Sequence, residues 1–91
     1  YTASSLHAST VAIAMDFGSA LRRFREERTL SLRELATISN VDHAYIHRLE
    51  SGDKTAPSPE VLDRLIRGLK LSVPRRRLLD HLAQGGRMDP I

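Results

Sequence analysis

The stretch SLRELATISNVDHAYIHRLESG, residues 31–52, predicts two short helices joined by a tight turn. Ser31 followed three residues later by Glu34 is the pattern of a capping box, so we expect a helix to begin there. Asn40 tolerates the left-handed backbone region better than most residues other than Gly, which makes it the expected pivot of the turn. Asp42 is placed to cap the helix that follows. The pattern therefore predicts a helix of about eight residues, a short turn and a second short helix.

The second of these helices, from about residue 42 to residue 51, has one apolar and one polar face. Its inward positions are Val41, Ile46 and Leu49. Its outward positions are His43, Ala44, His47 and Arg48. Gly52 is the expected C-terminal stop. The apolar residues of the preceding helix are predicted to share one buried face, at Leu32, Leu35, Ala36 and Ile38.

A further helix is predicted before this pair and a loop after it. Over residues 16–28 the apolar side chains recur every three or four positions, at Phe17, Leu21 and Phe24. This is the period of a helix with one buried face, and Asp16 suits its N-cap. The segment GDKTAPSP, residues 52–59, is predicted to be a loop. Ser58 followed by Pro59 then suits the start of the next helix.

Two more helices complete the predicted fold. The fourth has its apolar face at Val61, Leu62, Leu65, Ile66 and Leu69, and Gly68 is expected to weaken its end. The fifth carries Leu78, Leu79 and Leu82 and stops at Gly85 and Gly86. Because no segment alternates apolar and polar residues over the length of a strand, we predict an all-α domain over residues 16–84. Residues 1–15 and 85–91 are the predicted tails.

The composition favours a small domain that binds nucleic acid. The chain has 91 residues, enough for one modest core, and it contains no Cys, which excludes disulfides and thiolate metal sites. Its net charge is +3, and 12 of its 14 basic residues are Arg, the side chain suited to phosphate and guanine. No run approaches the roughly 20 apolar residues of a membrane helix, so we expect a soluble cytoplasmic protein without membrane contact. So short a chain also favours a binding role over an enzyme.

The spacing of His43 and His47, one helical turn apart, raises the alternative of a metal-dependent enzyme. Zinc needs about four protein ligands in structural sites and about three in catalytic ones. No Glu follows the first His, and the other two histidines, His7 and His81, lie in the N-terminal tail and the last helix. We therefore expect no metal and no cofactor, whereas the enzyme alternative predicts bound zinc or nickel that is lost in His43→Ala.

A helix, a short turn and a second helix at this spacing are typical of the DNA-binding helix-turn-helix, whose second helix enters the major groove. Residues 21–72 also resemble the helix-turn-helix domain of the phage repressor and Cro-type transcriptional regulators. The resemblance lies in Arg25 of the leucine-rich first helix, in LSLRELA at residues 30–36 and in IHRLESG at residues 46–52. It covers over half of the chain, with the motifs in the family's order and spacing.

The resemblance implies a five-helix, lambda-repressor-like domain that binds double-stranded DNA as a sequence-specific repressor and a homodimer. It implies a structural ion pair between Arg25 and Glu50. The implied base contacts are His43, Ala44, His47 and Arg48, of which Arg48 is favoured because its fork matches guanine O6 and N7. The implied phosphate contacts are Ser31, Leu32, Arg33, Ser51, Lys54 and Thr55, with Tyr45 either packing at the helix edge or reaching phosphate. The chain departs from the family at Leu32 (often Gln), Thr29 (commonly Gly) and Asp53 (frequently basic).

Several alternatives stay open at this point. The chain could instead be an antitoxin-like or adaptor protein-interaction module with autoregulatory DNA binding. Its helix-turn-helix would then be partly repurposed, and residues 1–15 or the fifth helix would hold a protein partner. Alternatively, Met15 could be the natural start, and residues 1–14 would then lie upstream of it. Leu78, Leu79 and Leu82 could close the core or form a dimer seam. The remaining Arg residues are expected to be mainly solvated, at Arg22, Arg23, Arg28 and Arg75–Arg77.

Overall fold

The computed structural model describes residues 15–54 and 57–85, and these residues form five α-helices without a strand. The helices are α1 (Phe17–Glu27), α2 (Leu32–Ser39), α3 (His43–Ser51), α4 (Pro59–Leu69) and α5 (Val73–Ala83). The predicted all-α, five-helix fold is therefore confirmed. The predicted tails, residues 1–15 and 85–91, lie outside the described residues except for Met15 and Gly85, and Thr55 lies outside them as well. No helix in the described part is long and apolar enough to cross a bilayer.

The predicted helix ends are present. Four N-cap side chains accept a hydrogen bond from the backbone N–H three residues along, at Asp16, Ser31, Asp42 and Ser58. The capping box is reciprocal, because the Ser31 amide also donates to Glu34 Oε1 at 2.8 Å. Asn40 has φ 58° and ψ 42°, and Gly52 has φ 90°, so each ends its helix in the left-handed region. Local sequence thus sets where α2 and α3 begin and end.

The core lies where the apolar faces of the five helices meet. α1 packs mainly against α3, α2 packs against α4 and α3, and α5 packs against α1 and α4. The fully buried large side chains are Leu21, Leu35, Ile46, Leu49, Leu65, Leu69 and Leu79. Leu79 and Leu82 are buried and Leu78 is half-buried, so these leucines close the core of the domain.

The prediction that Ile38 lies on the buried face of α2 is wrong, because its side chain is 54% exposed. Ser39 takes the inward place instead, and its hydroxyl donates to the Leu35 carbonyl at 2.6 Å, which satisfies it in the core. A small residue is required there because α4 comes close to α2. A Cβ added at Gly68 would lie only 3.2 Å from Ser39 Cβ.

The arginine run at the start of α5 is exposed, as predicted, but Arg75 also makes contacts that the sequence did not indicate. Its guanidinium forms an ion pair with Glu27 and lies 5.2 Å from the centre of the Phe24 ring. The arginine-bearing face of α1 is exposed, as expected. Two of its arginines also form i,i+4 ion pairs, Arg22 with Glu26 and Arg23 with Glu27.

Candidate nucleic-acid interface

The position of α3 is fixed by an ion pair between α1 and α3. Arg25 Nε donates to Glu50 Oε2 at 2.7 Å, and Nη2 donates to Glu50 Oε1 at 2.9 Å. The side chains are only 12% and 6% exposed, so this two-pronged pair is nearly buried, as the resemblance implied. The hydrogen bond to Glu50 raises the pKa of the Arg25 guanidinium, while burial acts in the opposite direction. The pair therefore ties the last turn of α3 to the last turns of α1.

Arg25 also holds the turn between α1 and α2. Its Nη1 donates to the Leu30 carbonyl at 2.8 Å, and the Leu30 amide donates to the Arg25 carbonyl at 3.2 Å. Between them, Thr29 has φ 54°, a left-handed backbone that is unfavourable for a β-branched residue. The family's common Gly would adopt this conformation without strain. The two hydrogen bonds between Arg25 and Leu30 fix the turn on both sides of Thr29, so Thr29 is kept in this conformation.

Gly18 is a second constraint on α3, and the sequence analysis did not single it out. A Cβ at this position would lie 2.4 Å from the Leu49 carbonyl oxygen and 2.7 Å from that of Glu50. The backbones of α1 and α3 are therefore in direct contact, which only Gly allows. The one signal in the sequence was a Gly inside an amphipathic helix pattern, which often has a packing reason.

The four predicted base-contacting residues lie on one side of α3. Ala44, His47 and Arg48 are exposed and His43 is half-buried, whereas Ile46 and Leu49 on the other side are fully buried. Within the described part of the chain, the side chains of His43, His47 and Arg48 form no hydrogen bond or ion pair. The outward face of α3 thus presents polar groups that have no partner in those residues.

The start of α2 presents backbone donors beside two exposed side chains. Ser31 and Arg33 are exposed, and Leu32 is half-buried with its side chain against the core. The amide of Glu34 is taken by Ser31 Oγ and that of Leu35 by the Ser31 carbonyl. The amides of Leu32 and Arg33 have no acceptor among the described residues, as is usual in the first turn of a helix. Leu32 can therefore contribute only its amide.

The turn after α3 folds back on the helix. The Lys54 amide and the Ser51 hydroxyl both donate to the Arg48 carbonyl, at 3.1 and 3.2 Å. The Lys54 ammonium is exposed and unpaired within residues 15–54 and 57–85, with the exposed Asp53 beside it in the chain. Tyr45 is half-buried and packs against the core, which agrees with the packing alternative for its ring.

In the part of the chain that the structure describes, metal ligands do not gather around the two histidines of α3. Among the residues that the structure describes, no group of three or more His, Cys, Asp and Glu side chains could hold a metal ion. His7 lies outside those residues. The expectation that the chain binds no metal stays a prediction.

Known bacterial regulators are similar to this chain. The HTH-type transcriptional repressor RghR of Bacillus subtilis is 44% identical over 55 residues, which are 60% of this chain and 41% of that protein. The uncharacterized HTH-type transcriptional regulator RghRB of the same species is 35% identical over 63 residues, 69% of this chain and 44% of that protein. The chain therefore spans less than half the length of these curated relatives.

Two solved structures of regulators are also similar to this chain, and the similarity covers most of each of them. The N-terminal DNA binding domain of SinR from Bacillus subtilis matches with a TM-score of 0.61 and 30% identity, covering 67% of this chain and 88% of that domain. The clp gene regulator ClgR from C. glutamicum matches with a TM-score of 0.59 and 38% identity, covering 76% of this chain and 84% of that one. The resemblance to repressor-type regulators is thus confirmed. Since the family model described as a helix-turn-helix domain matches residues 16–79, well over half of the sequence, this chain belongs to that family.

Proposed function

We propose that the chain is a sequence-specific DNA-binding transcriptional regulator of the repressor type, which reads the major groove with α3. The observation that carries this proposal is the outward face of α3, where His43, His47 and Arg48 have no partner in the described residues. The relatives support it, since one is named a transcriptional repressor and another is described as a DNA binding domain. DNA binding explains the exposed polar side chains of α3 and requires neither a cofactor nor a catalytic step.

Base readout follows from the chemistry of the four outward positions. Arg48 has the planar fork that pairs with guanine O6 and N7, the commonest specific contact in the major groove. Ala44 is small enough to let the helix approach and can contact a thymine methyl group. His43 and His47 lie one turn apart on the same face and add ring nitrogens that donate or accept hydrogen bonds. Specificity would come from these few side chains.

Phosphate contacts would come from the two ends of the motif. At the start of α2, the unused amides of Leu32 and Arg33 lie at the positive end of the helix dipole, which attracts anions. Arg33 and the Ser31 hydroxyl extend the same surface. The residues proposed for the other end are Tyr45 through its hydroxyl, Ser51, Lys54 and Thr55. These contacts would position α3 and supply most of the affinity.

We further propose that the protein acts as a homodimer on a roughly palindromic site. Two copies of α3 would then lie one turn of DNA apart, about 34 Å. The bacterial origin of the relatives supports a place in the bacterial cytoplasm, where the chromosome is accessible.

Selection of bound sequences from a random pool of duplex DNA tests the proposal and yields the site. Arg48→Ala should then weaken binding to the selected sequence by about 1–3 kcal/mol and relax the preference at one base pair. Arg64→Ala, which removes an exposed arginine of α4, is the matched control and should bind as the wild type does. Lys54→Ala should weaken binding to all sequences alike and reduce the salt slope by about 1.

The alternative of a protein-interaction module makes the opposite prediction. An adaptor whose helix-turn-helix serves a protein partner instead of DNA would show no measurable binding to duplex DNA even at low salt, where phosphate contacts are strongest. That result, or wild-type affinity for the selected site in Arg48→Ala, would show that α3 does not read DNA.

A further inference from the structure

The charge on the outward face of α3 depends on two histidines. His43 and His47 lie one turn apart on the side of the helix that carries Arg48, and both His47 and Arg48 are exposed. Histidine is the side chain that ordinarily changes its charge between pH 5 and 8. The basic side chains of this face therefore carry one positive charge when both imidazoles are neutral and three when both are protonated.

The carboxylates of α3 and of the helices packed against it are bound to other groups. Glu50 is held by Arg25, and Asp42, which precedes His43, accepts a hydrogen bond from the Tyr45 amide at 3.2 Å. The helices that pack against α3 are α1 and α2. No imidazole of α3 forms an ion pair with a carboxylate among the described residues. The acidic side chains of α1 and α2 are Glu26, bound to Arg22, Glu27, bound to Arg23 and Arg75, and Glu34, bound to the Ser31 amide.

The other charged groups next to α3 are mostly positive. Arg33 at the start of α2 and Lys54 in the turn after α3 are exposed and form no ion pair with the described residues. Asp53 lies beside Lys54, beyond the end of α3 that is opposite His43. The described part of the chain therefore gives the two imidazoles no negative partner, whereas the phosphates of a bound duplex would supply one.

We propose that DNA binding by α3 is coupled to protonation of His43 and His47, so that the affinity for DNA rises as the pH falls from about 8 to about 5.5. This inference rests on the proposed function and adds its regulation. A duplex carries one negative charge per about 1.7 Å of its axis, so a helix in the major groove lies in a negative potential that favours the charged imidazole. Because linkage is reciprocal, protons that bind more tightly in the complex also tighten the complex.

The two histidines should contribute unequally. His47 is exposed in the middle of α3, where its charge can lie close to a phosphate. His43 is half-buried and is the first residue of α3, where the positive end of the helix dipole opposes an added positive charge. A protonated imidazole donates from both ring nitrogens, which suits acceptors such as phosphate oxygens and guanine O6 and N7. We therefore expect the larger effect from His47.

Binding of a labelled duplex at a series of pH values tests the coupling. The probe is the sequence selected from the random pool, measured by fluorescence anisotropy at constant ionic strength. The wild type should bind it about tenfold more tightly, or better, at about pH 5.5 than at about pH 8. The double variant His43→Gln/His47→Gln keeps polar side chains that do not titrate, so its affinity should change less than about twofold. His81→Gln, which removes an exposed histidine of α5, is the matched control and should respond to pH as the wild type does.

The salt dependence of binding gives a second measurement. Each phosphate that a charged imidazole neutralises should add about 0.9 to the slope of log affinity against log salt concentration. The wild-type slope should therefore be steeper by about 1–2 at pH 5.5 than at pH 8, and the slope of the double variant should not change with pH. A purely structural role of the histidines in α3 would leave the slope of the wild type constant.

Two outcomes would overturn the inference. One is a wild-type affinity that stays constant or falls as the pH is lowered. The other is a double variant that retains the pH dependence of the wild type, which would mean that groups outside this face take up the protons. Sequence-specific binding at pH 8 combined with either outcome leaves the proposed function intact. If no duplex is bound at any pH in the range, the proposed function fails and the coupling fails with it.

Discussion

Replacing Gly18 by Ala should destabilise the domain and displace α3. The added Cβ would meet the carbonyl oxygens of Leu49 and Glu50 at 2.4 and 2.7 Å, where ordinary contacts begin near 3.4 Å. Both atoms belong to the backbone, so no side-chain rotation can relieve the overlap. The α1 and α3 helices must therefore separate by up to about 1 Å, against the close packing of the core.

The expected magnitude is a balance of two effects. Ala favours a helix by about 1 kcal/mol relative to Gly. Overpacking of a filled site costs typically 1–3 kcal/mol, and a contact with two immobile backbone atoms belongs at or beyond the upper end. A separation of about 1 Å would also stretch the hydrogen bonds between Arg25 and Glu50, now 2.7 and 2.9 Å. We expect a net loss of about 2 kcal/mol in unfolding free energy, which lowers Tm by about 10 °C in a domain of this size.

The matched control is Gly68→Ala, a second buried glycine inside a helix. The Cβ added there would lie 3.2 Å from Ser39 Cβ, an overlap of a few tenths of an ångström, and 3.4 Å from Ile38 Cγ2, an ordinary contact. A shift of α4 against α2 by a few tenths of an ångström relieves the contact with Ser39, so the gain in helix preference should offset the cost and leave the stability within about 1 kcal/mol of wild type.

Urea unfolding followed by circular dichroism measures both variants. The DNA affinity of Gly18→Ala, measured where the variant is still folded, should fall as well, because α3 no longer holds its position. Equal stability of the two glycine variants would refute the reasoning that backbone contact between α1 and α3 decides the outcome.

Three further changes test other parts of the structure. Thr29→Gly should raise the unfolding free energy by about 1 kcal/mol in thermal unfolding, because φ 54° no longer strains a β-branched residue; a lower Tm would contradict this. Glu50→Ala should cost about 3–5 kcal/mol in urea unfolding because it leaves the Arg25 charge buried and unpaired, and a loss below about 1 kcal/mol would mean that the pair is well solvated. Ile38→Gln should change the unfolding free energy by less than about 0.5 kcal/mol, whereas Leu35→Ala should lower it by about 2–5 kcal/mol. Similar losses in the two variants would mean that Ile38 belongs to the core.

Helix boundaries and most of the core could be predicted from the sequence because they depend on local chemistry. The caps at Ser31 and Asp42 and the left-handed residues Asn40 and Gly52 are determined by side chains within a few positions of each helix end. The burial of Ile46 and of the other large apolar residues follows from the helical period.

The features that the sequence did not predict all depend on contacts between distant segments. Periodicity allowed either Ile38 or Ser39 on the inner side of α2, and the choice was made by the close approach of α4 at Gly68. Nothing near Gly18 in the chain indicates that α3 will lie against it. Arg75 contacts Glu27, 48 positions away, so its immediate neighbours could not show this ion pair.

The residues that hold α3 are different from those proposed to contact DNA. Gly18 and Arg25 both act at the C-terminal part of α3, through the backbone of Leu49 and the side chain of Glu50. The exposed positions lie on the opposite side, with Arg48 among them, and contribute no contact to the core. Changes at positions that hold α3 should therefore reduce both stability and DNA affinity, whereas changes on the exposed face should reduce affinity alone. Measuring both quantities for each variant distinguishes a displaced recognition helix from a lost contact, which affinity data by themselves cannot do.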